Sequence, residues 1–314
     1  QMFASRAKVN QAARTVDLGP AMACFAEGTP EEVMQAFLLA MASANDGAWP
    51  PPGDLGADYQ LNSRWSGSQG SPRTLTWSFV PDGVSISSGA GEPVANSSLF
   101  AQMDAQFGGN RALWISKFQA VFNRWQALTG ITYTRVTSGG NDWDDGAAWG
   151  TGGAAGARGD LRISMKTIDG VNGILAYNYF PANGDMVLDG GDIARWGNAG
   201  GDYINLRNVI SHEHGHGMGV NHVCPVTTTK LMEPFLATNF DGPQHDDIRA
   251  AQRHYGDPYE PNDSSAAARD LGTLSPGTFT LGPTPAPNVA NGSVLSIDAD
   301  GENDDFRFPV GGAR

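Results

Sequence analysis

The chain has 314 residues, with 20 lysines and arginines against 33 aspartates and glutamates, a formal net charge of −13. With this excess of negative charge and no lysine- or arginine-rich run, nucleic acid and anionic membranes are poor partners. No apolar stretch reaches the length of a membrane span; the segment from Val33 to Met41 is too short and is interrupted by Gln35. Low charge density with abundant Gly, Ser, Asn and Trp suits a loop-rich extracellular protein.

Residues 1–58 read as a lead segment. Thr29-Pro30-Glu31-Glu32 places a threonine cap before a proline at the first helical position, which predicts a helix fading near Asn45-Asp46-Gly47. Pro50-Pro51-Pro52-Gly53 then breaks the chain as a linker would. A second unit spans residues 59–256. Within it Thr74–Val80 alternates like a strand. Trp114, Phe118, Val121, Phe122, Trp125 and Leu128 recur at helical spacing before Gly130, which predicts a long backing helix whose aromatics are core. Ile131–Val136 reads as the next strand. An acidic loop covers Asn141–Gly146, and a helix is expected from about Leu206 to Gly217. Strands and helices alternate, so the upper part is a mixed sheet backed by helices, with a smaller lower part after Gly219.

The stretch from His212 to His222, His-Glu-His-Gly-His-Gly-Met-Gly-Val-Asn-His, carries the chemistry. On a helix His212 and His216 are four residues apart, so both imidazoles leave one face, one turn apart. Gly219, without a Cβ, can take the left-handed conformation that ends a helix and so return His222 as a third ligand. Three imidazoles leave a fourth position open, which separates a catalytic zinc from a structural one. Glu213 follows the first ligand and projects beside the metal. A carboxylate there can take a proton from a water held by zinc and pass it to a leaving amine. Four of the six histidines lie inside this pattern, which weighs against a helix of merely solvated or core imidazoles. His214, two residues from His212, falls on another side of the helix and is expected to be structural.

Followed by Lys230-Leu231-Met232-Glu233-Pro234, this motif resembles the metzincin signature with its methionine turn, in the matrixin branch. The resemblance implies an α+β fold: a twisted, mixed five-stranded sheet with a backing helix and an active-site helix, then a small C-terminal subdomain with one helix. Met232 would pack beneath the three imidazoles in a supporting role. Gly242–Gly256 is similar to the matrixin C-terminal helix with its Asp-Asp pair. Either one of Asp246 and Asp247 reaches the methionine turn, or the pair simply caps the helix. Gly159–Ser164 and Gly173–Pro181 resemble parts of the matrixin sheet, the second being the strand at the rim of the cleft. An edge strand can take up an extended peptide as one more strand, so Ile174, Leu175, Ala176 and Tyr177 are candidate substrate-binding residues, with Glu233 and Pro234 at the rim of the specificity pocket.

The departures carry expectations too. Matrixins usually hold a second, structural zinc through histidines around that strand. Here the matching places hold Tyr177 and Met186, and no histidine precedes Ser211, so one zinc is expected. Asp160, Asp169, Asp189 and Asp192 fall where the family binds calcium and are candidate oxygen ligands for it; plain solvated loop carboxylates are the alternative. Residues 257–314 resemble the opening of the bacterial prepeptidase C-terminal domain, through Tyr259-Glu260-Pro261-Asn262-Asp263-Ser264 and expected strands at Ser293–Asp298 and Asp304–Phe308. The tail is therefore expected to be a partial β-sandwich that stops partway through the module and either is poorly ordered or leans on the preceding unit.

The chain's two cysteines are Cys24 and Cys224, the latter two residues beyond His222. A disulfide between them would staple the lead segment beside the cleft. A cysteine switch like that of matrixin zymogens would instead place the Cys24 thiolate in the open zinc position, and two free thiols are the third reading. The resemblance implies a secreted, bacterial, monomeric zinc endopeptidase acting on protein or peptide substrates, in a chain that opens on Gln1 and reads as already processed. A latent zymogen blocked by its N-terminal segment and a non-enzymatic extracellular module with a structural zinc are the alternatives.

Overall fold

The computed structural model describes residues 21–30, 32–36, 59–223, 226–274, 281, 295–298 and 302–309. Its central sheet has six strands: β1 (Ala21–Phe25), β2 (Arg73–Phe79), β3 (Ile131–Arg135), β4 (Leu161–Lys166), β5 (Ile174–Tyr179) and β6 (Met186–Asp189). Their order is β1-β5-β6-β4-β2-β3. β3, β2, β4 and β6 run parallel to one another, whereas β5 is antiparallel to both β6 and β1. The five strands β2–β6 match the expected mixed sheet. The sixth comes from the lead segment, so the strand expected at the edge, β5, is paired on both sides and buried throughout.

Beyond the lead segment, five helices of four residues or more accompany the sheet among the described residues: α1 (Leu99–Gln106), α2 (Arg111–Leu128), α3 (Ile193–Trp196), α4 (Ile204–Gly217) and α5 (His245–Tyr255). Residues 32–36 are also helical, and the remainder of the helix expected after Thr29 lies outside the described residues. The backing helix α2 is opened by Asn110, whose side chain accepts the Leu113 N–H at 3.1 Å. Its seven buried residues include Trp114, Phe118, Phe122 and Trp125. Trp77 of β2 stacks on Phe122 with ring centroids 4.6 Å apart, and Phe79 meets Trp114 edge-on at 5.0 Å. These aromatics bury the sheet face behind the site and fix where α4 can lie. α4 rests on the same helix, with Trp125 Nε1 donating to the Ser211 carbonyl at 3.3 Å.

The acidic loop is not merely solvated. Asp144 turns inward and receives both Nε and Nη2 of Arg162 on β4, at 2.9 and 2.8 Å, with both side chains fully buried. Arg162 spends its remaining donors on the Ala147 and Ala148 carbonyls, and Asp144 also takes the Ser78 hydroxyl at 2.7 Å.

After Gly256 the described residues include the short parallel ladder of Arg269–Asp270 with Phe306–Arg307. Residues 295–298, where a strand was expected, carry none. This tail leans on the preceding unit: Gln69 and Arg253 both donate to the Asp298 carbonyl, at 2.8 and 2.5 Å. No helix among the described residues is long and apolar enough to cross a membrane.

Replacing Asp144 by Ala would leave the Arg162 guanidinium buried without its counter-charge. Removing one partner of a buried pair costs about 3–5 kcal/mol, so the variant is expected to unfold at a markedly lower temperature in a calorimetric scan. An unchanged midpoint would contradict the role given to this pair.

Candidate metal centre and cleft

The last turns of α4 carry His212, Glu213 and His216, all buried. At its end the chain reverses at Gly219, which has φ +93°. A Cβ there would run into the Ser63 carbonyl oxygen, so the turn needs glycine twice over, for conformation and for space. The reversed strand is held by residues 60–62: Asn221 N–H donates to the Gln60 carbonyl at 2.9 Å and Asn62 N–H to the Gly219 carbonyl at 2.7 Å. This clamp delivers His222 to the face of the helix.

The three Nε2 atoms then stand 3.0 Å (His212–His216), 3.1 Å (His212–His222) and 3.2 Å (His216–His222) apart. His212 donates from Nδ1 to the Leu231 carbonyl at 2.6 Å and His216 from Nδ1 to the Val220 carbonyl at 2.7 Å. Each of these bonds fixes the ring's tautomer with the Nε2 lone pair pointing inward. Burial lowers the pKa of His212 to about 4 and pushes His216 and His222 well below the usual value. Neutral imidazoles facing one another at this distance repel unless a cation lies between them. Their spacing suits bonds of about 2.0–2.1 Å to zinc, and the donor set fits that metal.

The supports fall largely where expected. Met232 is fully buried below the helix, so close that a Cβ on Gly215 would strike its sulfur. Asp247 holds the methionine turn: its carboxylate accepts the N–H groups of Leu231 at 2.8 Å and Met232 at 3.0 Å. It also caps its own helix through the Gln244 N–H at 2.8 Å, so both expected roles belong to this one residue. Asp246 reaches Lys230 at 3.4 Å. His214 faces away from the tripod, hydrogen-bonding Tyr133 at 2.5 Å against Phe122, and is structural.

Three expectations change. Glu233 does not line the rim. It is buried, and its carboxylate accepts backbone N–H bonds from Thr227, Thr228, Thr229 and Lys230, organising the loop before the methionine turn. Burial raises its pKa, but the bonds from Thr229, Thr228 and Thr227 outweigh that and hold it low. Ile174, Leu175, Ala176 and Tyr177 lie along the cleft, but their strand pairs with β1 rather than presenting a free edge. Cys24 carries a free, buried thiol, and Cys224 lies outside the described residues. That thiol groups with His212 and Glu213 and not with the complete tripod, so sulfur does not sit in the open position as a switch would require.

Of the four candidate calcium ligands, Asp160 is occupied by Thr76, whose N–H and hydroxyl each lie 2.8 Å from Oδ2. Asp169, Asp189 and Asp192 gather near residues 168–174 and accept backbone N–H groups there. Burial first, then the Asp189 and Asp192 charges, raise Asp169 to about 6 against the Ile174 bond. Among the described residues no three of these four oxygen sets come within 4.8 Å of one another, whereas Glu260, Asp298 and Glu302 of the tail do. At the position of the missing histidine ligand, Tyr177 donates to Glu92 at 2.7 Å, and Glu92 pairs with the buried Lys166 at 2.7 Å. A neutralised polar network thus fills that place.

Comparison with known proteins follows this geometry. Residues 108–256, the span from the end of α1 to the end of α5, match the family model of matrixin. This segment is a matrixin metallopeptidase domain. The chain is 32% identical over 149 residues to matrix metalloproteinase-16 of Rattus norvegicus, covering 44% of this chain and 23% of that protein. It is 29% identical over 184 residues to matrix metalloproteinase-19 of Mus musculus, covering 55% and 30%. A hatching enzyme of Paracentrotus lividus is 32% identical over 108 residues, covering 31% and 18%. The chain thus spans less than a third of the length of these relatives. In the matrixin domain the tripod His212, His216 and His222 is the zinc site, with Glu213 beside it.

The strand in the cleft is the feature that sequence reasoning missed. Its signal was present: Ala21–Phe25 is an uncharged run directly after Gly19-Pro20.

Because Gly219 places His222, a Gly219→Ala variant is expected to push the turn off the Ser63 carbonyl and lose zinc affinity by about 10–100-fold, the size of effect seen when a metal ligand loses its support. Competition titration against a chromophoric chelator reads this directly. Unaltered affinity would show that the turn does not set the third ligand.

Proposed function

We propose that the whole chain is a zinc-dependent endopeptidase of extracellular location, made latent by its own N-terminal segment. The observation that carries this reading is Glu213. It is completely buried beside three converging imidazoles, and its Oε2 has no hydrogen-bond partner among the described residues. A structural metal site has no use for a buried carboxylate that is left half-satisfied, since an unpaired buried polar atom costs stability. Burial holds its pKa well above the usual carboxylate value, partly offset by the Cys24 N–H.

Zinc, when bound, acts as a Lewis acid toward the scissile carbonyl and acidifies a water. The rest falls to the chain. Glu213 takes a proton from the attacking water at Oε2, the unpartnered oxygen. It returns that proton to the departing nitrogen, which is kept beside the same carboxylate; in the resting chain Oε1 already accepts a backbone N–H at 2.9 Å. One carboxylate thereby serves as base and then acid. An unfolded polypeptide is held by backbone pairing to β5 on one side and to residues 234–236 on the other, a mode that tolerates many sequences. Asn208, Leu231, Leu236 and Phe240 help line a small pocket beside His212 that receives one side chain.

Latency is favoured by β1, which fills that track. Phe25→Pro removes the N–H that binds Pro234 and is expected to open the cleft. In that background the zinc-loaded chain should digest reduced casein, and a chelator should stop it. Adding Glu213→Gln should leave one zinc per chain and lower the rate by about 10²–10⁴-fold, the range for loss of a general acid–base group. Undiminished casein cleavage by the glutamine variant would refute the role of Glu213.

A further inference from the structure

Resting on the peptidase reading above, we propose that the Ala23–Cys24 peptide bond is a substrate that this chain hydrolyses in itself. β1 does not merely lie near the cleft. Its backbone is bonded on both sides. On one side it pairs antiparallel with β5, Ala23 opposite Tyr177 and Cys24 opposite Ala176, with an irregularity at Cys24/Phe25. On the other it runs parallel to the segment after the methionine turn: Phe25 N–H donates to the Pro234 carbonyl and Leu236 N–H to the Phe25 carbonyl, both at 2.9 Å. Ala26 N–H adds a bond to the Gly173 carbonyl at 2.8 Å. An extended chain pinned this way has one peptide unit at the chemical centre, and it is Ala23–Cys24.

Both ends of that unit meet the expected groups. The Cys24 N–H donates to Glu213 Oε1 at 2.9 Å, so the nitrogen that would leave already faces the carboxylate that would protonate it. The Ala23 carbonyl faces the His222 ring, one of the three tripod imidazoles. Cys24 borders the small pocket that Leu231, Leu236 and Phe240 also line. A segment that only blocked the cleft would need none of this placement of nitrogen, oxygen and side chain. Ground-state proximity of this kind, with the reacting groups held in order, is what makes an intramolecular step fast.

The step balances. Water adds its oxygen to the Ala23 carbonyl carbon and the C–N bond breaks. One proton of the water passes through Glu213 to the Cys24 nitrogen and the other leaves the new carboxyl group for the freed amine, leaving a carboxylate on Ala23 and an ammonium on Cys24. No oxidant or co-reactant other than water is consumed. The product chain begins at Cys24, and the fragment ending at Ala23 carries the pairing of Ala21–Ala23 with β5.

The test uses the metal-free full chain, to which zinc is added, followed by intact mass and N-terminal sequencing. The expected result is loss of residues 1–23 and a new N-terminus at Cys24, with a first-order rate constant that does not change on dilution. Glu213→Gln should stay whole, and its Cys24 and Phe25 amides should exchange slowly with deuterated solvent, because residue 213 and Pro234 still accept them. Fast exchange at those two amides would place the segment outside the cleft and overturn the inference. So would an uncut Ala23–Cys24 bond, cleavage only elsewhere, or a rate that rises with protein concentration, in each case while the Phe25→Pro chain digests casein. If neither the unaltered chain cuts itself nor the Phe25→Pro chain cuts casein, the peptidase reading itself has failed.

Discussion

Three buried imidazoles whose inward nitrogens stand 3.0–3.2 Å apart, none protonated at neutral pH, form an arrangement that polypeptide alone does not favour. Lone pair faces lone pair in a region without water to separate them. The surrounding structure works against that repulsion. Backbone carbonyls of Leu231 and Val220 pin two of the rings from behind, Gly219 bends the chain where any side chain would collide with Ser63, and Asp247 anchors the methionine turn beneath. The aromatic layer on α2 sets the position of α4. Each of these contacts is costly to lose singly, and together they fix a ligand set before the metal arrives, which is the condition for tight and selective binding.

The second constraint is the edge of the sheet. A strand with unpaired N–H and C=O groups is a liability in a protein at rest and an asset in one that binds polypeptides. Here both needs are met by one device. β1 closes the edge of β5 while the chain is uncut, and the same backbone track is the one a polypeptide substrate would use. Glu213 belongs to both states. Its buried carboxylate is partly satisfied by the Cys24 N–H, which lessens the cost of keeping a charge in the interior. On the proposed reading, latency and catalysis would draw on the same hydrogen-bonding groups, with no ligation by the cysteine sulfur.

Much of this was legible in residues 206–256, because there the chemistry depends on spacing: His212 and His216 on one helical face, a glycine where the chain must reverse, an Asp-Asp pair at a helix start. The backing helix was legible for the same reason, since its aromatics repeat at the helical period. What escaped were features set by tertiary contact. Ala21–Phe25 is five residues without alternation, which periodicity cannot distinguish from a loop. Glu233 looked like a pocket residue because it follows Met232, yet four backbone N–H groups of its own loop draw it inward. Helix α1 was not foreseen: Ser98 before it makes no cap bond, and its first N–H groups, of Phe100 and Ala101, are instead taken by the distant Asp82 carboxylate. The Tyr177–Glu92–Lys166 network joins residues far apart in sequence, and only the lost histidine hinted that something must fill that place.

X-ray absorption at the zinc edge, taken on the full chain loaded with one equivalent of metal and carrying Glu213→Gln to prevent turnover, tests the central claim most directly. A tripod facing a peptide backbone predicts a first shell of nitrogen and oxygen only, at about 2.0–2.1 Å. A sulfur scatterer at about 2.3 Å would mean that the Cys24 thiolate holds the metal, and that the N-terminal segment blocks the site by ligation rather than by lying in it as a substrate.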